Sequence, residues 1–592
     1  MNNQVENASL LHLLHKLWRL LSSRRRSQLS SLLVLMLIVS ILEVFSIGAV
    51  LPFLGVLTSP DYVYAHPLAQ GIIDILGLRK AIDLLLPMTV FFVAAALAAG
   101  ASRLLLLWVT MRLSYAIGID LGFSIFQKTL YQPYCIHVAR NSSEMIHSIS
   151  VKAPSVTSEV IQPVLIILSS TFMTIFIVAS LFFFDPVIAL FTIAGFSLMY
   201  TLVISVTRRR LLRDSQVISS EGTKVIRALQ DGLGAIRDIL IDGTQETYCR
   251  SYQDANRELC QAQARLRFFG QSPRFVLEAL GMLLIAVLAY NLAVQDNGLA
   301  IALPILGVLA MSAQRLLPVV QQAYGAWASI QGSKTILIET LDFLSQPMPD
   351  SEGQLISPLP FENAIVLRNV SFNYEASANW VLKDVNLTIR KGQRVGFIGT
   401  TGSGKSTLLD IVMALLEPTT GVLEVDDRAV TQSNQRAWQV HLAHVPQSIF
   451  LSDGTIESNI ALGVASEAID PLAVREAARL ACISELIESM PMQYQSRVGE
   501  RGVRLSGGQR QRIGIARALY KKADVIVLDE ATSALDNQTE TDVMDEIENL
   551  DKQLTIFIIA HRLTTLKNCS LIVRLSDGRI EQTGTYEELV GA

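Results

Sequence analysis

The chain has 592 residues, half of them apolar, with a positive mean hydropathy and a net charge of −4. That length exceeds a single domain, and the near-neutral balance excludes the basic stripe of a nucleic-acid-binding protein, so no nucleic-acid partner is expected. The charge is partitioned: long uncharged runs fill residues 1–345, whereas the remainder has the composition of a soluble domain. The five cysteines (Cys135, Cys249, Cys260, Cys482 and Cys569) form no C-x-x-C pair and no zinc spacing, as befits a reducing compartment.

Crossing a bilayer takes roughly 20 apolar residues. Runs at 29–57, 84–109, 160–184, 187–206, 275–293 and 299–320 qualify and predict a membrane α-helical bundle. No small-residue cleavage site follows the first run, so it reads as a span and not as a signal peptide. Arg24-Arg25-Arg26 precedes the first span and Arg208-Arg209-Arg210 follows the fourth, which puts both triplets in the cytosol. The expected location is therefore the inner or plasma membrane, as a multi-pass protein with its C-terminal domain cytoplasmic.

The connections 110–159 and 207–274 are polar yet poor in proline and glycine. They predict spans that continue into the cytosol as helices, because Ile226, Leu229, Leu233, Ile236 and Leu240 recur at helical spacing. Each connection is expected to turn back through a short helix, near Asn141–Ser150 and Ile241–Tyr248. The outer 58–83 connection carries Leu68, Ile72, Ile73, Ile75, Leu76 and Leu78 on one helical face. Either an interfacial helix or a helix packed on neighbouring spans accounts for it.

Pro347, Pro349, Pro358 and Pro360 mark a linker at 346–360, and 361–592 forms the second domain. Short β-rich runs there (Ile365–Phe372, Val395–Ile398, Leu442–Val445, Val525–Leu528 and Thr555–Ile559) alternate with helical stretches and predict an α/β domain around a partly parallel sheet. Between the second run and an apolar helix, 407–416, lies Gly399-Thr400-Thr401-Gly402-Ser403-Gly404-Lys405-Ser406, the G-x-x-x-x-G-K-[ST] phosphate loop. Its backbone N–H groups, at a helix N-terminus, can surround the β- and γ-phosphates of ATP. Lys405 adds a point charge, the Ser406 hydroxyl can ligate Mg²⁺, and Thr407 completes the candidate nucleotide-binding stretch.

Leu505-Ser506-Gly507-Gly508-Gln509 resembles the signature motif of ATP-binding-cassette (ABC) ATPases, and the other elements of that family follow in order. Val525–Leu528, closing in Asp529 and Glu530, resembles the Walker B strand. The resemblance implies that Asp529 holds Mg²⁺ through water and that Glu530 acts as general base. Gln447, after His444-Val445-Pro446, looks like the loop glutamine that senses Mg²⁺ and the membrane domain. Ser533-Ala534-Leu535-Asp536 resembles the D-loop, with Asp536 assigned to the nucleotide site. His561 resembles the switch histidine at the γ-phosphate, and Tyr374 the aromatic that stacks on adenine. In this family Ser506, Gly507, Gly508 and Gln509 of one subunit close the phosphate loop of another. A homodimer is implied, since one chain holds two half-sites and half of the usual twelve spans.

The whole chain resembles ABC exporters with six spans ahead of one nucleotide-binding domain. Its membrane half looks similar to bacterial lipid-linked oligosaccharide flippases at Leu42-Glu43-Val44-Phe45, Leu51-Pro52-Phe53, Pro273-Arg274, Leu277-Glu278 and Arg315-Leu316-Leu317-Pro318. Arg103, Arg274 and Arg315 all fall towards the cytoplasmic half of the membrane, where guanidinium groups suit a pyrophosphate. Structural readings stand beside that one: the arginines can snorkel, Arg274 can pair with Glu278 one turn on, and Glu43 can neutralise another. Three functions follow. They are an ATP-driven flippase for a lipid-linked oligosaccharide or related glycolipid, an exporter of peptides, drugs or other lipids, and a regulatory membrane protein that only binds ATP.

Overall fold

The computed structural model describes residues 9–58, 60–65, 79–184, 186–293, 316–346, 357–374, 379–532, 534–548, 553–560 and 562–589. Internal packing divides the chain into two compact units, 1–131 with 140–348, and 132–139 with 349–592.

Unit one is helical. A short helix, Leu10–Leu20, is N-capped by Ser9 and buries Leu13 and Leu17. The helices Ser23–Gly48, Leu85–Leu130, Gln162–Phe184, Pro186–Gly234 and Gln245–Ala293 carry the first five apolar runs. By length and apolarity, Ser23–Ser46, Ala81–Leu130 and Ser142–Ser180 can cross a membrane. Of the sixth run, 299–315 lies outside the described residues, as does the apolar face of the outer connection at 66–78; 316–332 is helical.

The cytoplasmic connections are helical extensions, as expected: Leu85–Leu130 is 46 residues long, and Pro186–Gly234 and Gln245–Ala293 are 49 each. The turning helices sit earlier in the chain than the sequence predicts. They are Tyr134–Ala139 and Ile236–Asp242. Asn141 accepts a hydrogen bond from the Ser143 N–H and so caps the returning helix, which ordinary N-cap chemistry explains. Gly243, at φ +66°, closes the second turning helix and cuts through the expected 241–248 stretch.

Among the described residues, unit two contains two sheets. Strands β1 (Ala364–Phe372), β2 (Leu382–Arg390), β4 (Thr420–Val425) and β5 (Arg428–Ala429) form an antiparallel sheet in the order β2-β1-β4-β5. The second sheet runs β10-β9-β3-β8-β7-β6. Its members are β3 (Arg394–Ile398), β6 (Leu442–Val445), β7 (Val525–Asp529), β8 (Thr555–Ile559), β9 (Leu571–Ser576) and β10 (Arg579–Gly584). All are parallel except β10, an antiparallel edge.

Alternate residues of the central strands feed two cores. Val525, Val527, Phe557 and Ile559 pack with the antiparallel sheet and the phosphate-loop helix. Ile526, Leu528, Ile556 and Ile558 pack with the helix after the signature motif. Both faces are covered, so these strands read as uninterrupted apolar runs. The end of the expected linker joins this packing: Leu359 and Phe361 are buried, and the Leu359 N–H donates to the Ala437 carbonyl at 3.1 Å.

Candidate ATP site

In an open parallel sheet, ligands bind beyond the carboxyl ends of the strands. The adjacent strands β3, β8, β7 and β6 therefore deliver residues 399–406, Ala560, Asp529 with Glu530, and Gln447 to one edge. Register sets them at a common level, since Val445 pairs with Leu528, Asp529 with Ile559, and Ile559 with Phe397.

The phosphate loop turns sharply after β3. A Cβ on Gly399 would stand 2.3 Å from the Leu575 carbonyl oxygen, so only glycine fits there. Gly404, at φ +100°, opens the helix Lys405–Val412, which starts two residues before the expected helix and stops short of its end. Lys405 folds its Nζ onto the carbonyl oxygens of Gly399 and Thr400, each at 2.9 Å. The Ser403 hydroxyl is buried and has no hydrogen-bond partner among the described residues. A buried donor without a partner inside a loop of N–H groups suits a phosphate oxygen. Tyr374 is half exposed, edge-on to Phe372, and its hydroxyl lies 3.2 Å from the Thr407 hydroxyl. The aromatic ring is thus placed beside the phosphate-loop helix.

Glu530 adopts φ +50°, a costly conformation for a residue with a side chain, while its N–H still bonds to the Ile559 carbonyl at 2.9 Å. The Gln447 amide donates to the Glu530 carboxylate. Asp529 is held above the usual carboxylate range by burial and by the neighbouring Glu530, with Lys405 opposing. Sequence reasoning missed Asp410. Burial and the charge of Asp529 push it up to about 6. Its signal was an acid on the otherwise apolar phosphate-loop helix.

Ser506 caps the helix Gly507–Tyr520 through a reciprocal pair: the Gln509 N–H bonds to the Ser506 hydroxyl, and the Ser506 N–H to the Gln509 side chain. Among the described residues, no hydrogen bond joins 506–509 to 399–407. Gln511, also missed, accepts from the Ala534 N–H at 2.9 Å and so ties the signature helix to the following loop. Asp536 accepts from the Thr539 N–H at 3.0 Å and hydroxyl at 2.8 Å, which makes it a helix cap here. His561 and Ser533 lie outside the described residues. Next to His561, Arg562 bonds to Asn537 and Glu540, and Glu540 also accepts from Thr532 and Thr565.

In the membrane unit, Arg103 pairs with Glu43, whose side chain is fully buried, while the Arg103 side chain remains 44% exposed. Arg274 bonds to Glu278 at 2.8 Å. Both contacts are the acid pairings that the sequence offered as structural readings. Arg315 lies outside the described residues.

Residues 382–533 match the ABC transporter family. An ATP-dependent lipid A-core flippase of Alkalilimnicola ehrlichii is 29% identical over 480 residues, 80% of each chain. The heterocyst differentiation ATP-binding protein HepA of a Nostoc species is 33% identical over 399 residues, 66% of this chain and 64% of that one. A solved bacterial Atm1-family ABC exporter with ATP bound shares the fold, with a TM-score of 0.76 at 21% identity over 96% of each chain. The chain carries an ABC transporter ATPase domain and has the fold of an ABC exporter, in which such an ATPase couples hydrolysis to transport by a helical membrane region.

Proposed function

We propose that the chain works as a homodimer that flips a lipid-linked oligosaccharide or related glycolipid across the membrane. The observation that carries this reading is the ion pair of Arg103 with fully buried Glu43. Charges at membrane depth are expensive and are kept for function. An arginine whose side chain is still partly exposed can offer its remaining N–H groups to an anionic headgroup. Arg274 and Arg315 are assigned to the same headgroup. The name of the Alkalilimnicola relative, a flippase for a glycolipid, supports the same class of cargo.

ATP occupies residues 399–407, with Tyr374 against adenine. Ser406, Asp529 and Gln447 offer only oxygen donors, a set that suits Mg²⁺. That ion would neutralise the crowded carboxylates and polarise the γ-phosphate. Glu530 takes the proton of the attacking water, and His561 contacts the γ-phosphate. Ser506, Gly507, Gly508, Gln509 and Asp536 serve the nucleotide bound to the opposite subunit. That no hydrogen bond joins 506–509 to 399–407 of the same chain, among the described residues, is consistent with that sharing.

The test is ATPase stimulation of the reconstituted protein by a panel of lipid-pyrophosphate glycans, lipid A-like glycolipids and peptides. Stimulation by the lipid-linked glycans or glycolipids is expected. Stimulation by peptides alone would move the cargo to that class.

A further inference from the structure

The chain passes between its two units at two places: at the 132–139 turn, which groups with the ATPase unit, and beyond the helix Lys334–Leu344. Within the membrane unit both exits meet at the last turn of that helix. Lys128, in the final turn of Leu85–Leu130, donates from Nζ to the carbonyl oxygens of Leu344 and, at 3.1 Å, of Gln346. Arg140, the first residue after the 132–139 turn, sets its guanidinium 5.0 Å from the centre of the Phe343 ring. Between these contacts, Leu341, Phe343 and Leu344 share one buried core with Leu121 and Ile125.

Each contact has a physical reason. The last carbonyls of a helix lack partners within it, and a cation there also complements the helix dipole. A guanidinium over an aromatic face is attracted by the ring quadrupole. The cations come from opposite stems of a single turn, and both grip the segment from which the linker departs. Lys128 caps the helix end, whereas Arg140 touches the Phe343 ring and so ties the second stem to the same turn.

We propose that Lys128 and Arg140 are positioning residues for coupling. They bind the two stems of the 132–139 turn to the end of the Lys334–Leu344 helix, so a displacement of the turn carries the origin of the linker with it. ATP-driven movement then enters the membrane unit through both exits at once.

The test uses the full-length protein in lipid nanodiscs and compares hydrogen exchange without nucleotide and after trapping with ATP and vanadate. In the unaltered protein, amides of 132–139 and 341–346 are expected to change their exchange together. In the Lys128→Met, Arg140→Gln double variant, 132–139 keeps its response and 341–346 loses it, while basal ATPase is retained. Restoring the first cation with Lys128→Arg in place of Lys128→Met should recover the joint response, which a purely stabilising cap would not require. Separate responses of the two segments in the unaltered protein overturn the proposal, and so does a joint response that survives the double variant. If the double variant does not fold, the unaltered protein alone decides.

Discussion

Glu530 shows how much geometry one residue can hold: a left-handed backbone, a ladder bond to Ile559 and a side-chain bond from Gln447. Glu530→Gln keeps the shape and removes the base. ATP binding should persist while hydrolysis falls by roughly 10²-fold or more, read as phosphate release against equilibrium nucleotide binding. Turnover near that of the unaltered protein would take Glu530 out of the role. Arg103 needs a subtler change, because its alanine variant strips a partner from buried Glu43 and so mixes instability with lost binding. Arg103→Lys keeps the charge and loses the planar fork. Cargo affinity, measured by titrating the ATPase stimulation, should drop about tenfold, equivalent to ~1.4 kcal/mol, with the melting temperature little changed. Unchanged affinity would leave Arg103 a structural partner of Glu43.

At the scale of elements, the hairpin between β4 and β5 turns through Asp426 and Asp427, at φ +47° and +60°, the handedness a two-residue hairpin needs. The Asp426 carboxylate reaches back to accept the N–H groups of Glu362, Asn363 and Ala364 and pins the start of β1. Burial works to raise this carboxyl, but the three N–H donors and Lys391 outweigh it and hold it below the usual range. The stability it contributes is present above the ordinary carboxylate pKa and is lost as pH falls through the depressed value. Asp426→Ala should cost roughly 1–3 kcal/mol at neutral pH, and the gap should close in acid, as followed by unfolding at several pH values. A gap independent of pH would show that the carboxylate charge plays no part.

The same scale explains what the sequence made legible. β7 and β8 stand out because burial on both faces leaves them almost wholly apolar, as in Val525-Ile526-Val527-Leu528. β2 was missed because Lys383, Asp384, Asn386 and Arg390 point outward between its buried residues. The phosphate loop and the signature are contiguous motifs and read directly. The Gln447–Glu530 bond and the elevated Asp410 depend on which strands and helices lie side by side, which no local pattern encodes. The turning helices were displaced because the Asn141 cap signal belongs to the next helix.

For the whole molecule, shared sites make a sharp expectation. Lys405→Ala chains and Ser506→Arg chains are each defective as homodimers. Mixed dimers should contain one site with both halves intact and one doubly broken. ATP-dependent closure should therefore reappear in the mixture, measured by crosslinking between subunits. Its absence in confirmed mixed dimers would argue against sites built from two chains. The family was legible at this scale because its motifs are numerous and ordered. The cargo was not, because it rests on a few arginines whose acid neighbours answer equally well to structural needs.

The unbroken helices Pro186–Gly234 and Gln245–Ala293 have a mechanical consequence. At 1.5 Å per residue, 49 residues make a rod about 74 Å long. If such a rod pivots at its cytosolic end by about 5°, its far end swings through about 6 Å, wider than a water molecule. A small angular input can thus become a displacement large enough to open or shut a path for cargo. Stiffness is then the property to protect: Pro273, inside the second rod, is where bending would spend the stroke before it reached the membrane.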